Sequence, residues 1–405
     1  MLVAIKEGRN KARFNIFKNQ EMEFGLIRSL AAMSEEGAEI GECLNVISDT
    51  KDGSLKSFSA AWNNAAFNVE SEGIRQLGLG NGSSAKSCFL RASNYYRSAM
   101  TCLFPKDKDH YKNWIKAKEC FEKAGSLFNS PFEFIEIPFE EGFLPCYFLQ
   151  PKNNEIKRPT LIVVTGGEGT AMEMYFWCAP EGLRRGYNIL LCELPGNIST
   201  MYLSSELTLR HDTEIPIKHV IDYLNERSHV NSDKIAIIGY SAGGYFASRA
   251  AAFEKRISAL IPDSPLRDMH GMFTAVFPKI LLSKKKSWLL EFIIRHFTDA
   301  SNRALIDLIL WEAGIEKFSD FLELVKKANL IGMEKNITCP TLVLASEGEG
   351  EAFLTQSKLF YNNITSKKKK IKIFTKKEGA SAHCQIDNFT LARKTIYDWL
   401  DEIFK

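Results

Sequence analysis

The chain carries one segment built for nucleophilic chemistry. An apolar run, Ile235 to Ile238, breaks into Gly239-Tyr240-Ser241-Ala242-Gly243-Gly244. A serine at a sharp strand-to-helix turn is held in a strained backbone conformation with its hydroxyl exposed. Glycines flank it because any side chain there would strike the neighbouring strand or helix. A buried-strand pattern precedes the serine and a helical one, Tyr245 to Phe253, follows it, so the segment reads as a nucleophile elbow with Ser241 as nucleophile. The bland reading of the same residues is a structural glycine turn.

A serine hydroxyl attacks only once a base takes its proton. His383, in Glu378-Gly379-Ala380-Ser381-Ala382-His383-Cys384, follows the last strand pattern and obeys the chain order nucleophile, acid, base. His110, His211, His219 and His229 precede the nucleophile, and His270 and His296 fall in a helical stretch, so these read as surface or packing histidines. The carboxylate should follow the strand Thr341 to Ala345, where Glu347, Glu349 and Glu351 compete. Counting from the strand end favours Glu349, with Glu347 and Asp263, at the end of the preceding strand, as alternatives. Acyl chemistry also needs donors for a developing oxyanion. Gly167 and Glu168, in Thr165-Gly166-Gly167-Glu168-Gly169, supply backbone amides after another strand, and Ala242 supplies the next. Such a glycine-rich loop could instead cradle phosphate, but no Gly-x-x-x-x-Gly-Lys-Ser/Thr pattern accompanies it.

Those residues need a scaffold, and 405 residues suffice for one large domain with a smaller one appended. From about Gln20 to Phe128 the apolar spacing is helical, with loop punctuation at Asp49 to Ser54, Gly78 to Ser84 and Pro105 to Asp109. Residues 1–130 therefore read as an all-helical domain. Residues 131–405 read as an α/β core: a hairpin at Phe132 to Phe139 and Phe143 to Leu149, then buried strands at Thr160 to Val164, Asn188 to Cys192, Lys234 to Ile238, Ser258 to Ile261, Thr341 to Ala345 and Lys370 to Phe374, with helices between. Such alternation implies a mostly parallel, doubly wound sheet whose ligands bind beyond the carboxyl ends of its strands. The stretch 269–332 is a helix-rich insertion that adds to a lid. Its apolar residues Phe273, Phe277, Leu281, Leu289, Phe292 and Phe297 are expected to pack on the helical domain rather than on substrate.

Composition narrows the partners. A net charge of +3 with 25% charged residues gives no electrostatic preference for nucleic acid. The lysines at Lys284 to Lys286, Lys367 to Lys370, Lys376 and Lys377 read as solvated surface in or beside loops. Nine cysteines without paired spacing indicate neither a disulfide framework nor a zinc site. Met1 to Arg13 lack the apolar core of a signal peptide, and no apolar run reaches membrane-spanning length, which together suggest a cytoplasmic protein. The expected partner is a small-molecule substrate, with neither nucleic acid nor membrane, no metal and no cofactor, in a chain compatible with a homodimer.

The chain resembles alpha/beta hydrolases carrying an N-terminal helical cap, a group that includes 2,6-dihydroxypseudooxynicotine hydrolase, the fungal heptaketide-shortening hydrolases and the fermentation/respiration switch protein. The resemblance rests on Met22-Glu23-Phe24 with Leu26-Ile27-Arg28, Ile40-Gly41-Glu42-Cys43-Leu44 and Leu90-Arg91-Ala92-Ser93-Asn94-Tyr95-Tyr96 in the cap. In the core it rests on Gly166-Gly167, Pro195-Gly196, Gly239 to Gly244 and Gly379 to Gln385. It implies Ser241 as nucleophile and His383 as base. The family acid is usually aspartate, so Glu349 departs from the pattern. It implies cleavage of a carbon-carbon bond beside a ketone, or of an ester or thioester, in polyketide-like or aromatic compounds. The alternatives are acyl transfer on the same residues or a non-catalytic regulatory protein. Tyr95, Tyr96 and Trp62 of the cap, with Tyr240 beside the serine, are candidates to line an aromatic pocket, against a packing role that spacing alone favours.

Overall fold

The computed structural model describes residues 14–152, 156–274, 282 and 287–405. Met1 to Arg13, Phe277, Leu281 and Lys284 to Lys286 lie outside the described residues. The chain opens with helices α1 (Gln20–Ala31), α2 (Ile40–Asp49), α3 (Leu55–Gly78), α4 (Gly82–Met100) and α5 (Lys108–Gly125). Their ends follow local chemistry. The Asn19 side chain accepts from the Met22 amide to start α1, and Ser54 does the same for α3 through Ser57.

The sheet begins with β1 (Phe132–Phe139) and β2 (Gly142–Leu149), an antiparallel hairpin. There follow β3 (Arg158–Val164), α6 (Ala171–Arg184), β4 (Asn188–Cys192), α7 (Ile198–Leu203), α8 (Glu214–Asn225), β5 (Val230–Tyr240), α9 (Ala242–Phe253) and β6 (Ala259–Asp263). The inserted stretch forms α10 (Met269–Thr274), α11 (Ser287–Phe297), α12 (Ala300–Glu312) and α13 (Phe318–Val325). The chain closes with β7 (Thr341–Ser346), α14 (Glu351–Asn363), β8 (Lys369–Phe374) and α15 (Phe389–Phe404). The eight strands lie in the order β1-β2-β4-β3-β5-β6-β7-β8, antiparallel up to β4 and parallel from there on. The chain leaves β3 toward β4 and returns to its other side as β5. This reversal opens a crevice at the carboxyl ends of β3 and β5.

Period-two alternation divides the strand residues between two apolar layers. Leu161, Val163, Ala236, Ile238, Leu342 and Leu344 face the side that carries α6, α15 and the five N-terminal helices. Ile162, Val164, Ile235, Ile237, Leu260 and Val343 face α8, α9 and the insertion. The interior of the helical region, with Phe58, Trp62, Phe89 and Tyr95, is continuous with the first layer through Tyr175 and Phe176 of α6. The C-terminal lysines are partly in strand rather than loop: Lys369, Lys370 and Lys372 lie on edge strand β8, where charge discourages pairing with another chain.

The insertion departs from its expected placement. Phe292 and Phe297 are solvent-exposed, Leu289 packs on the α8 and α9 side, and Phe273 meets Phe321 edge to face within the insertion itself. None of these four joins the core of the helical region.

Helical region and sheet are tied by buried charge. Arg28 of α1 donates to both carboxylate oxygens of Glu173 in α6, from Nε at 2.8 Å, and to the carboxylate of Glu168 in the loop after β3. Arg97 of α4 lies 3.5 Å from Glu173. Removing one partner from such a cluster strands the other charges in a low-dielectric interior. Arg28→Met should therefore cost about 3–5 kcal/mol in urea unfolding, and pairing it with Glu173→Met should recover only part of that loss, because Arg97 and Glu168 then lose these partners. Equal stability of wild type and Arg28→Met would show that solvent reaches this cluster.

Candidate active site

The site grows from the turn between β5 and α9. Ser241 sits there at φ 57°, ψ −122°, a backbone region few non-glycine residues enter. The close approach that forces this turn is visible at Gly239, where an added methyl would lie 1.9 Å from the carbonyl oxygen of Gly243. Gly166 is equally constrained from the β3 side: a methyl there would fall 2.7 Å from the Tyr240 carbonyl oxygen and 3.0 Å from the Ala242 nitrogen. The loop after β3 and the serine turn are thus pressed together as one unit.

Ser241 Oγ is 2.9 Å from His383 Nε2, and His383 Nδ1 is 2.6 Å from Glu349 Oε1. With a carboxylate at Nδ1, that nitrogen donates and Nε2 is left to accept the serine proton. The imidazole is buried between Phe353, edge to face at 5.2 Å, and Phe24 of α1 at 6.4 Å. His383 is followed by two left-handed residues, Cys384 and Gln385 at φ 53° and 52°, which turn the chain sharply beneath the ring.

Among the three candidate glutamates, geometry selects by direction. Glu349 closes a capping box with Ser346: the Ser346 amide donates to Oε2 at 2.9 Å, leaving Oε1 for His383, the Ser264 hydroxyl and, at 3.4 Å, the Cys384 amide. Glu347 is exposed and accepts from the Lys376 amide, and Glu351 opens α14 facing solvent. Asp263 ends β6 wholly buried but does not reach the imidazole. Its Oδ1 accepts from Gln385 at 3.1 Å, and its Oδ2 has no hydrogen-bond partner among the described residues. Burial, reinforced by the charge of Glu349 and opposed by the Gln385 hydrogen bond, holds its carboxyl well above the usual aspartate range. Glu349, His383 and Cys384 also form a cluster of possible metal ligands, but the first two are engaged with each other and with Ser241.

Ser241 opens into a cavity of about 260 Å³. Gly167, Glu168 and Ala242 line it, with Gly196 and Asn197 from the loop after β4. Ala242 is the first residue of α9, and the first N–H groups of a helix have no partner within it. The rest of the wall is mostly apolar and comes mainly from the insertion, with Met269, Met272, Phe273, Leu305, Ile306, Ile309, Phe318 and Phe321 beside Asn302 and Glu312. Of the five N-terminal helices only α1 contributes, through Gln20 and Glu21. Direct substrate contact was the reading set aside for the insertion, yet its helices form the wall.

The tyrosines singled out from sequence lie elsewhere. Tyr95 is inside the helical region, donating to Glu42 at 2.6 Å and accepting from the Glu39 amide. Tyr96 donates to Glu70 at 2.8 Å and, with Trp62, is buried away from this cavity. Tyr240 points into the core against Trp177, because strand alternation turns it away from the face that Ser241 presents. His110 is buried and hydrogen-bonded to Tyr202, and burial pushes it down to about 4.

Sequence reasoning overlooked several residues. Glu312, at the end of α12, lines the cavity, and its Oε1 accepts from the Glu168 amide at 3.0 Å. An acid ending a helix, where the macrodipole disfavours it, was the available signal. Ser264, Ser346 and Gln385 orient the carboxylates, and no linear pattern marks them. Glu193, buried and pushed up to about 7, accepts from the Ala171 and Ser199 amides and fixes the loop after β4.

A family described as the alpha/beta hydrolase fold matches residues 159–371. The chain belongs to that family. An alpha/beta hydrolase, gkaG, of Penicillium citrinum is 28% identical over 81% of this chain and 81% of its own length. A 20-hydroxy-prefusarin hydrolase of Gibberella moniliformis is 26% identical over 96% of this chain and 98% of its own. Among solved structures, 2,6-dihydroxy-pseudo-oxynicotine hydrolase superposes with a TM-score of 0.72 at 20% identity, covering 92% of this chain and 95% of that one. The likeness therefore extends through the N-terminal helices as well as the sheet.

Asp263 provides a test of the carboxylate arrangement. Its carboxyl is held above the ordinary value of 3.8 in the fold, so folding takes up a proton once pH passes that value and stability falls as pH rises beyond it. Asp263→Asn mimics the protonated form. It should be more stable than wild type at pH 7, with the advantage vanishing near pH 3–4 in urea unfolding at each pH. A variant less stable at pH 7 would mean that Asp263 is ionised in the fold.

Proposed function

We propose that this protein is a serine hydrolase that cleaves a carbon-carbon bond beside a ketone, an ester or a thioester in a polyketide-like or aromatic small molecule, through an acyl-enzyme. The observation that carries this reading is the unbroken hydrogen-bond line Ser241–His383–Glu349 at the mouth of a mostly apolar cavity. The substrate class is supported by the prefusarin hydrolase among the relatives and by the apolar wall, which suits a hydrophobic ligand with few polar groups.

In this reading His383 Nε2 takes the Ser241 proton as Oγ attacks the substrate carbonyl carbon. The oxygen gains negative charge and is met by the amides of Glu168 and Ala242. Glu349 stabilises the imidazolium and fixes its tautomer. Collapse expels the leaving group, which accepts the proton from His383. Water, deprotonated by the same imidazole, then attacks the acyl carbon, and Ser241 leaves with its proton restored. Each step draws on groups of this chain, so no cofactor is invoked.

Intact-protein mass spectrometry after incubation with a fluorophosphonate tests the nucleophile. Wild type should gain one adduct and Ser241→Ala none. Absence of an adduct on wild type, under conditions that label a control hydrolase, would favour the regulatory reading. Glu349→Gln should slow labelling by about 10²–10⁴-fold, as expected when the group orienting a catalytic histidine is neutralised. Asp263→Asn should slow it far less, and the reverse order would transfer the acid's role to Asp263.

A further inference from the structure

One carboxyl on the cavity wall has no part in those steps. Glu312 is 4% exposed and ends α12 amid leucine, isoleucine, methionine and phenylalanine. Its Oε1 accepts from the backbone N–H of Glu168 at 3.0 Å, the amide assigned above to the oxyanion. Its Oε2 lies over Gly167, within 3.5 Å of where a methyl on that residue would sit. One N–H serves one acceptor well, so the carboxyl and the oxyanion compete for the same hydrogen.

Charge decides that competition. An ionised carboxylate grips an amide through a charge-assisted hydrogen bond, roughly twice as strong as a neutral one. It also places a negative charge where another must develop. Facing Glu312 are Glu168 from the loop after β3, Glu193 from the loop after β4, and Glu21 of α1 on the same cavity. His110, which packs on the neighbouring Trp311, is neutral. Cations around this cluster have carboxylate partners other than Glu312: Arg28 pairs with Glu168 and Glu173, Arg97 with Glu173, and Arg210, beside the Leu209 amide that caps the Glu312 carbonyl, with Asp212 and Glu140. The carboxyl also stands at the negative end of α12. Burial pushes it up to about 8, with Glu168 and Glu193 adding to the shift and the Glu168 amide opposing it.

Resting on the reading of Glu168 and Ala242 as oxyanion donors, we infer that Glu312 is a positioning residue that gates the oxyanion site by its protonation state. Neutral, it yields the Glu168 amide to the substrate oxygen. Ionised, it keeps the amide and repels the charge forming on that oxygen. Activity then requires Glu312 protonated, which gives a pH profile whose falling limb belongs to Glu312.

The experiment follows the rate of fluorophosphonate labelling of the full chain from pH 6 to 10 for wild type, Glu312→Gln and Glu312→Ala, with circular dichroism verifying that each stays folded. The probe's phosphonyl oxygen demands the same amides as a carbonyl oxyanion. Wild type should lose rate above about pH 8, approaching tenfold per pH unit, and both variants should lose that limb. At pH 10 each variant should retain at least tenfold more of its own maximum rate than wild type does. A falling limb that persists in both variants overturns the inference while leaving the serine hydrolase reading intact. Wild type that labels at no pH overturns both.

Discussion

The structure turns on a steric constraint: the backbone at the β5–α9 turn and the loop after β3 approach so closely that Gly166 and Gly239 admit no side chain. This contact holds Ser241 at a positive φ, a conformation costing on the order of 1–2 kcal/mol for a residue with a side chain. Glu168, Ser264, Cys384 and Gln385 share that sign of φ, and all stand on loops at the carboxyl edge of the sheet. Five positive-φ residues thus stand along one rim, while Asn15, Glu36 and Cys102 belong to the N-terminal helical region and Glu140 to the β1–β2 turn. The five persist because two buried apolar layers beneath them fix the strand ends.

Several buried carboxyl groups stand along the same rim. Asp263, Glu193 and Glu312 are each raised chiefly by desolvation, whereas Glu349 has both oxygens supplied with donors. The environment gives chemically similar side chains different surroundings. Gln385 links two of these positions by donating to both Asp263 and Ser346.

Much of this was legible in the chain. Strand and helix order, the serine turn and the histidine loop follow from local signals: apolar runs, glycines at fixed offsets and small residues after the last strand. Glu349 could be preferred over its neighbours by counting, and the capping box with Ser346 is the physical reason, since it turns one glutamate inward and leaves Glu347 and Glu351 outward. The pocket wall was not legible. Tyr95 and Tyr96 sit on a helix buried on most of its faces, where helical spacing cannot tell a pocket from a core. The insertion's Met272 and Phe273 look like packing residues until the tertiary contacts of α10, α12 and α13 are known. Glu312 becomes meaningful only beside Glu168, 144 residues away.

The hydrogen-bonded line and the cavity wall reside on separate pieces of the polypeptide. The hydrogen-bonded line belongs to the loops after β5, β7 and β8, whereas most of the cavity's apolar wall belongs to α10, α12 and α13. Substitutions at Met272, Phe273, Leu305 or Ile309 reshape the cavity without touching the line. Exchanging a few wall side chains would thus change the cavity's shape and leave the Ser241–His383–Glu349 geometry in place, a modularity written into the order of the elements.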